Sequence, residues 1–351
     1  MKFYIAFFIG LLGWASCHTN KGIKETVVVT NKGFVLLDSI AAAQAIVIDK
    51  TDAFFENVTI VDMAIQMKRQ FKNDETRAEI LIDYKNYIQA DVEDFTSNEQ
   101  ELLQRVMQKA IRLCDSLSNK ILPSSIQLIK TKGGHYGNGA FYTRENCIII
   151  PASDLKNPNE KQLLQVMLHE ISHIITRYNP VLRDKLYGLI GFKKTLNNSK
   201  LIFNEPLKSL LLANPDGMNM EYAIQVHKPD GQLTWVLPLL FSGEQNFKST
   251  KTAFFNYLKF ELFELEKQTD GRYLVLTKEN GSSTLMLQNL PDFFKKIGDN
   301  TQYIIHPDEI IADNFFMMTL ATQEIDGFDM GKFSAKGKVL IREVEKAVRA
   351  Y

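Results

Sequence analysis

His169 and His173 stand four residues apart in the segment His169-Glu170-Ile171-Ser172-His173. On a helix, side chains at that spacing share a face, so both imidazoles can be aimed at one point. Two neutral imidazoles suit Zn2+, and Glu170, one step round the helix, is placed to reach a water beside the ion rather than the ion itself. A carboxylate there can take the water's proton and pass it to a leaving amine, while the metal polarises a carbonyl and brings the water's pKa to about 7. The bland alternative is a pair of solvated histidines on a polar face. Met167, Leu168, Ile171, Ile174 and Ile175 speak against it, because imidazoles among apolar neighbours need polar partners. A catalytic ion also needs a third protein ligand and one open position, so the motif is half of a site.

The elements that must position this motif are marked by their ends. Asn157-Pro158-Asn159-Glu160 offers an N-cap, Pro at the first helical position and Glu at the third. The helix it opens runs to about Tyr178, where Asn179-Pro180 stops it. Upstream, Thr96-Ser97-Asn98-Glu99 has capping-box spacing. Leu102, Leu103, Val106, Met107, Ala110 and Ile111 follow it at helical periodicity. Between the two helices, residues 125–131 read as a strand, 133–139 as a glycine-rich turn and 140–151 as a second strand.

Elsewhere, 25–38 reads as strand, turn, strand; 45–48 as a strand; 63–71 and 78–90 as helices. Beyond Asp184, strands are expected at 234–241, 273–277 and 284–288, the last two joined by a turn at 278–281. A helix is expected over 254–267, another from His306-Pro307 to about 321, and a last one over 334–350. No internal repeat or low-complexity tract is present.

The order helix, strand, strand, helix, with HExxH on the second helix, resembles the catalytic core of the zincin metallopeptidases. The likeness covers roughly residues 96–180 and 303–322. It implies an α+β fold: a mixed sheet with an edge strand, an active-site helix and a ligand helix, interrupted by a large insertion. The metzincin extension is absent, since Thr176 and Asn179 stand where it has Gly and His. The gluzincin pattern takes its third ligand from a later helix, with an Asp four residues on. Glu309-Ile310-Ile311-Ala312-Asp313 fits that spacing. By this likeness His169, His173 and Glu309 would hold Zn2+, Glu170 would be the general base, and Asp313 would orient a ligand histidine. Asp308, Glu205 and Glu221 stand as competitors for the third ligand. The 135 residues between His173 and Glu309 exceed what compact gluzincins have.

Zincins also place an edge strand just before the active helix. Gly139, Ala140, Phe141 and Tyr142 occupy that place and would pair with an extended peptide substrate; a plain core strand is the other reading. An oxyanion donor is expected too. Tyr178, Tyr222, His227 and His306 are candidates, with His306 nearest the proposed ligand helix.

Composition narrows the class further. The 351 residues are 45% hydrophobic and 23% charged, and 41 basic side chains balance 41 acidic ones. Nothing in that balance points to a nucleic-acid partner. Residues 1–17 have a secretory layout: Lys2, an apolar run over 3–14, then Ala15 and Ser16 before Cys17. Cys17 resembles a bacterial lipobox cysteine, although Trp14 stands where that motif has a Leu-like residue. Lipidation there would tether an exported protein to a membrane; plain secretion is the alternative. Cys114 and Cys147 could then pair or remain buried thiols.

The expected organisation is a leader at 1–17, a tether at 18–24, an N-terminal region at 25–95 and a zincin core at 96–184. An insertion with a β-hairpin follows at 185–302, then a helical part carrying the third ligand at 303–351. The expected activity is zinc-dependent peptide hydrolysis. The competing readings are a surface lipoprotein that binds peptide or glycan through the same scaffold, and hydrolysis of a non-peptide amide.

Overall fold

Alternating apolar residues in three neighbouring strands set the architecture. The computed structural model describes residues 27–29, 31–196, 200–217, 220–323, 325 and 328–351. The leader, Cys17 and the tether expected at 18–24 lie outside these. In chain order the first elements are β1 (Val27–Val29), β2 (Lys32–Leu36), α1 (Ser39–Ala45), α2 (Phe54–Asn57), α3 (Ile60–Met67), α4 (Arg77–Ala90), β3 (Val92–Glu93) and α5 (Ser97–Leu117). Then come β4 (Ser125–Thr131), β5 (Tyr142–Arg144), β6 (Cys147–Pro151), α6 (Glu160–Tyr178) and α7 (Pro180–Leu189).

The first sheet has the order β1-β2-β4-β6-β5, with β3 also pairing with β4. Its centre, β2-β4-β6, is parallel, and β5 lies antiparallel at one edge. Phe34, Leu36, Ile126, Leu128, Ile148 and Ile150 point to one side, into a core shared with α5, α6 and four later helices. Val35, Ile129 and Ile149 point to the other, against α1, α3 and α4. A parallel sheet covered on both faces needs apolar residues at both parities, and these strands have them.

The next elements are β7 (Phe192–Lys194), β8 (Leu201–Ile202), α8 (Glu205–Leu210), β9 (Tyr222–His227), β10 (Leu233–Ser242), β11 (Leu258–Lys267) and β12 (Tyr273–Val275). The chain closes with α9 (Pro291–Ile297), α10 (Pro307–Thr322) and α11 (Ala335–Arg349). The second sheet has the order β7-β9-β10-β11-β12-β8, antiparallel except for β12-β8. Ile224, Val226, Val236 and Leu262 join the main core from one face, while Ala223, Leu237, Leu239 and Phe263 form a smaller core on the other. The region expected as an insertion with a hairpin is therefore a six-stranded sheet continuous with the main core. Among the described residues the fold is mixed α+β, with two mixed six-stranded sheets and eleven α-helices. No helix among them is long and apolar enough to cross a membrane.

Several expectations are corrected. The helix expected over 254–267 is a 3-10 turn, Phe254–Asn256, followed by β11, which pairs with β10 from Trp235↔Leu265 to Ser242↔Leu258. The strand expected at 284–288 is absent: a single bridge joins Thr277 to Ser283, and Leu287–Asn289 is a 3-10 turn. The strand expected at 45–48 is absent: the Asp38 carboxylate accepts from the Ala41 N–H and starts α1, which ends at Ala45, and a turn follows at 46–47. The segment 140–151 is a hairpin, not one strand, and turns at Glu145 with φ 52°. That left-handed backbone is braced where Glu145 accepts from the Lys50 and Thr51 N–H groups at 2.6 and 2.9 Å. Cys114 and Cys147 are both free and buried.

Candidate metal centre

α6 begins at Glu160, because Asn159 rather than Asn157 takes the cap, accepting from the N–H groups of Lys161 and Gln162. It carries His169, Glu170 and His173 into the interior, where Glu170 and His173 are buried. α10 packs against α6 and presents Glu309 and Asp313, four apart, on the facing side. Glu309 Oε2 lies 3.2 Å from His169 Nε2 and 3.4 Å from His173 Nε2. Donor atoms about 2.0–2.1 Å from one tetrahedral ion sit about 3.3 Å apart, close to both Glu309-to-imidazole distances, and the three donors all lie within 4.8 Å of one another. His173 Nε2 is buried without a hydrogen-bond partner, as is Glu170 Oε2. Such orphaned atoms are costly in a folded interior unless something unites them.

The far side of each ring is held as well. His169 Nδ1 lies 2.9 Å from Asp313 Oδ1, and His173 Nδ1 lies 2.9 Å from Asp308 Oδ2. A carboxylate on Nδ1 fixes the ring and leaves Nε2 as the donor toward a metal. Asp308, weighed as a competing ligand, is thus a brace, and the Thr176 hydroxyl donates to its other oxygen at 2.8 Å. Of the remaining competitors, Glu221 pairs with Lys194, and Glu205 sits exposed beside Lys208.

Glu170, Asp216, Asp308, Glu309 and Asp313 outnumber the cations beside them, two imidazoles and the Arg177 guanidinium that acts on Asp216 and Asp308, so the cluster favours further positive charge. Burial disfavours the charged rings. Asp313 and Glu309 outweigh it at His169, which is held up at about 10, and Glu309, Asp216 and Asp308 do the same at His173. Burial likewise works against the Glu309 carboxylate, yet His173 and His169 keep it ionised, well below the usual range. The Glu170 carboxyl is pushed up to about 8 by burial and by Asp216. These donors are geometrically able to hold a metal ion.

Three contributors came with no signal in the sequence. Asn214 Nδ2 donates to Glu309 Oε1 at 2.8 Å. Asp216 lies within 4.8 Å of donor atoms on Glu170 and His173. Both sit on the loop that leads into β9, where Asn214-Pro215-Asp216-Gly217 reads as an ordinary turn. Arg177 of α6 pins this loop by donating to the Pro215 and Asp216 carbonyls, and the buried Asp62 accepts from the Ala213 N–H at 2.8 Å. Tyr303, just ahead of α10, stacks on His169 with centroids 6.1 Å apart.

The metal-side atoms open onto a cavity of about 400 Å3 whose walls include Gly139, Ala140, Phe141, Tyr142 and Tyr303. Gly139, Ala140 and Phe141 precede the ladder, and β5 starts only at Tyr142. The outward N–H and hydroxyl of Thr143 both donate to Asp216 Oδ1, at 2.6 and 2.7 Å, so this position of the edge is closed to strand addition. None of the four oxyanion candidates lines the cavity. Tyr178 donates to Glu145, Tyr222 bonds to Arg183 and Asp184, and His227 meets Asp292. His306 caps α10 and packs against Gly217, where a Cβ would come within 2.4 Å of its ring. Comparison of the chain with family models, curated proteins and solved structures returned no match.

Proposed function

We propose that this chain is a zinc-dependent peptidase with a zincin-like core, exported and tethered through Cys17. One observation supports this most: the Nε2 atoms of His169 and His173 converge on Glu309 Oε2 while a separate carboxylate braces each ring. Two imidazoles and one carboxylate favour Zn2+ over the oxygen-seeking Mg2+ and Ca2+. A bound zinc ion would supply a polarised scissile carbonyl and a water of lowered pKa.

The protein's own groups do the rest. Glu170, with an unpartnered oxygen beside the donors, takes a proton from the attacking water and delivers it to the leaving amine. Tyr303 offers its hydroxyl to the developing oxyanion. The peptide backbone runs beside Gly139, Ala140 and Phe141.

The test is zinc content per mole together with peptide cleavage in wild type, Glu170→Gln and Glu309→Ala. Stoichiometric zinc, cleavage lost in Glu170→Gln and zinc lost in Glu309→Ala are expected. Freshly purified wild type without zinc, or Glu309→Ala with all of it, would overturn the ligand set. Zinc-loaded wild type that cleaves no peptide would instead favour a binding module.

A further inference from the structure

Resting on the peptidase reading, we infer that the second sheet builds a side-chain subsite selecting a large apolar residue beside the scissile bond. The cavity at His169 has two kinds of wall. Its polar groups, Glu170, Asn214, Asp216 and Glu309, gather on the metal side. The lining also includes an apolar group: Leu240 of β10, Phe254 and Phe255 of the 3-10 turn, and Leu258 at the start of β11, with Phe141 and Ile305. Among the described residues no lysine or arginine lines it.

A volume of about 400 Å3 lies within the roughly 300–1,000 Å3 of ligand pockets. Glu309 is held by the imidazoles and Asn214, and Asp216 Oδ1 accepts from Thr143. A charged substrate side chain would lose its water against the apolar lining. A free C-terminal carboxylate finds no lysine or arginine there, so the selected residue is not the C-terminal one. At the mouth, Phe255 is 57% and Tyr303 42% exposed. Two rim aromatics left open to water become covered when an apolar side chain enters.

The test uses zinc-loaded Glu170→Gln and N-acetylated, C-amidated Gly/Ser/Ala peptides with one central residue set to Phe, Leu, Ala, Lys or Glu. Calorimetry is expected to show Phe and Leu peptides binding roughly 10- to 100-fold tighter than the Ala peptide, with Lys and Glu no tighter than Ala. In a Phe255→Ala, Glu170→Gln double variant the Phe-to-Ala ratio should shrink several-fold at unchanged zinc content. Equal affinity across the series, or no binding by any peptide, overturns the subsite. Wild-type cleavage without selectivity would overturn the subsite alone; selective binding without wild-type cleavage would overturn the peptidase reading alone.

Discussion

Asn214 donates to one oxygen of Glu309 at 2.8 Å, and this turns the other oxygen toward both imidazoles. The amide comes from the loop before β9, so the second sheet's region helps to orient Glu309 on α10. Asn214→Ala is expected to lower zinc affinity about 10- to 100-fold with the fold unchanged. Competition against a chromogenic chelator measures this. Wild-type affinity in the variant would mean that the carboxylate is oriented by something else.

Asp308 and Asp313 brace the two rings alike but sit at different depths. The Asp308 side chain is 4% exposed and that of Asp313 17%. Removing Asp308 strands the His173 Nδ1 in the interior, while Thr176 keeps the His173 carbonyl as a partner, so Asp308→Ala should destabilise the metal-stripped protein by about 3–5 kcal/mol. Asp313→Ala should weaken zinc binding with a smaller loss of stability. Denaturant midpoints of the two variants decide, and equal losses would sink the distinction.

Tyr303 stacks on His169 and lines the cavity, while the four candidates named from sequence face elsewhere. Tyr303→Phe is expected to lower kcat by about 10²–10³ with zinc content and KM little changed. A variant with the wild-type kcat would remove the tyrosine from the chemistry.

Asp62 is fully buried and accepts from Ala213 N–H and Gln66 Nε2 at 2.8 Å each. Burial lifts its carboxyl from 3.8 to about 6 despite those two donors. The folded chain therefore holds this proton more tightly than the unfolded chain does. Its stabilising contribution is complete below about pH 4, and up to roughly 3 kcal/mol is lost as the pH rises through 6. Asp62→Asn should flatten that slope, read as the wild-type minus variant difference in unfolding free energy between pH 4 and 7. A difference that stays constant across this range would show that Asp62 titrates normally.

Legibility followed the strength of local signals. The capping box at Thr96 and Glu99, the stop at Asn179-Pro180 and the start at His306-Pro307 each satisfy helix-end groups with side chains next to them in sequence, and all three are observed. β11 was missed because Leu258–Lys267 is rich in Leu, Glu and Lys, which favour helix, while eight pairings with β10 override that preference. The hairpin turn at Glu145 was invisible because its left-handed backbone rests on partners about 95 positions away rather than on a glycine. Asn214 and Asp216 were missed for a related reason. Their roles depend on where the Arg177 side chain and Asp62 hold the loop, and no spacing rule encodes that.

His169 and Glu309 are 140 positions apart along the chain. A cation gripped by both is a cross-link closing a very long loop, and such a closure restricts the unfolded chain far more than the folded one. Zinc occupancy should thus report completed assembly: α6 emerges early, but its partner helix arrives only after the whole second sheet has been made. A chain truncated before α10 would carry the motif and gain nothing from the ion.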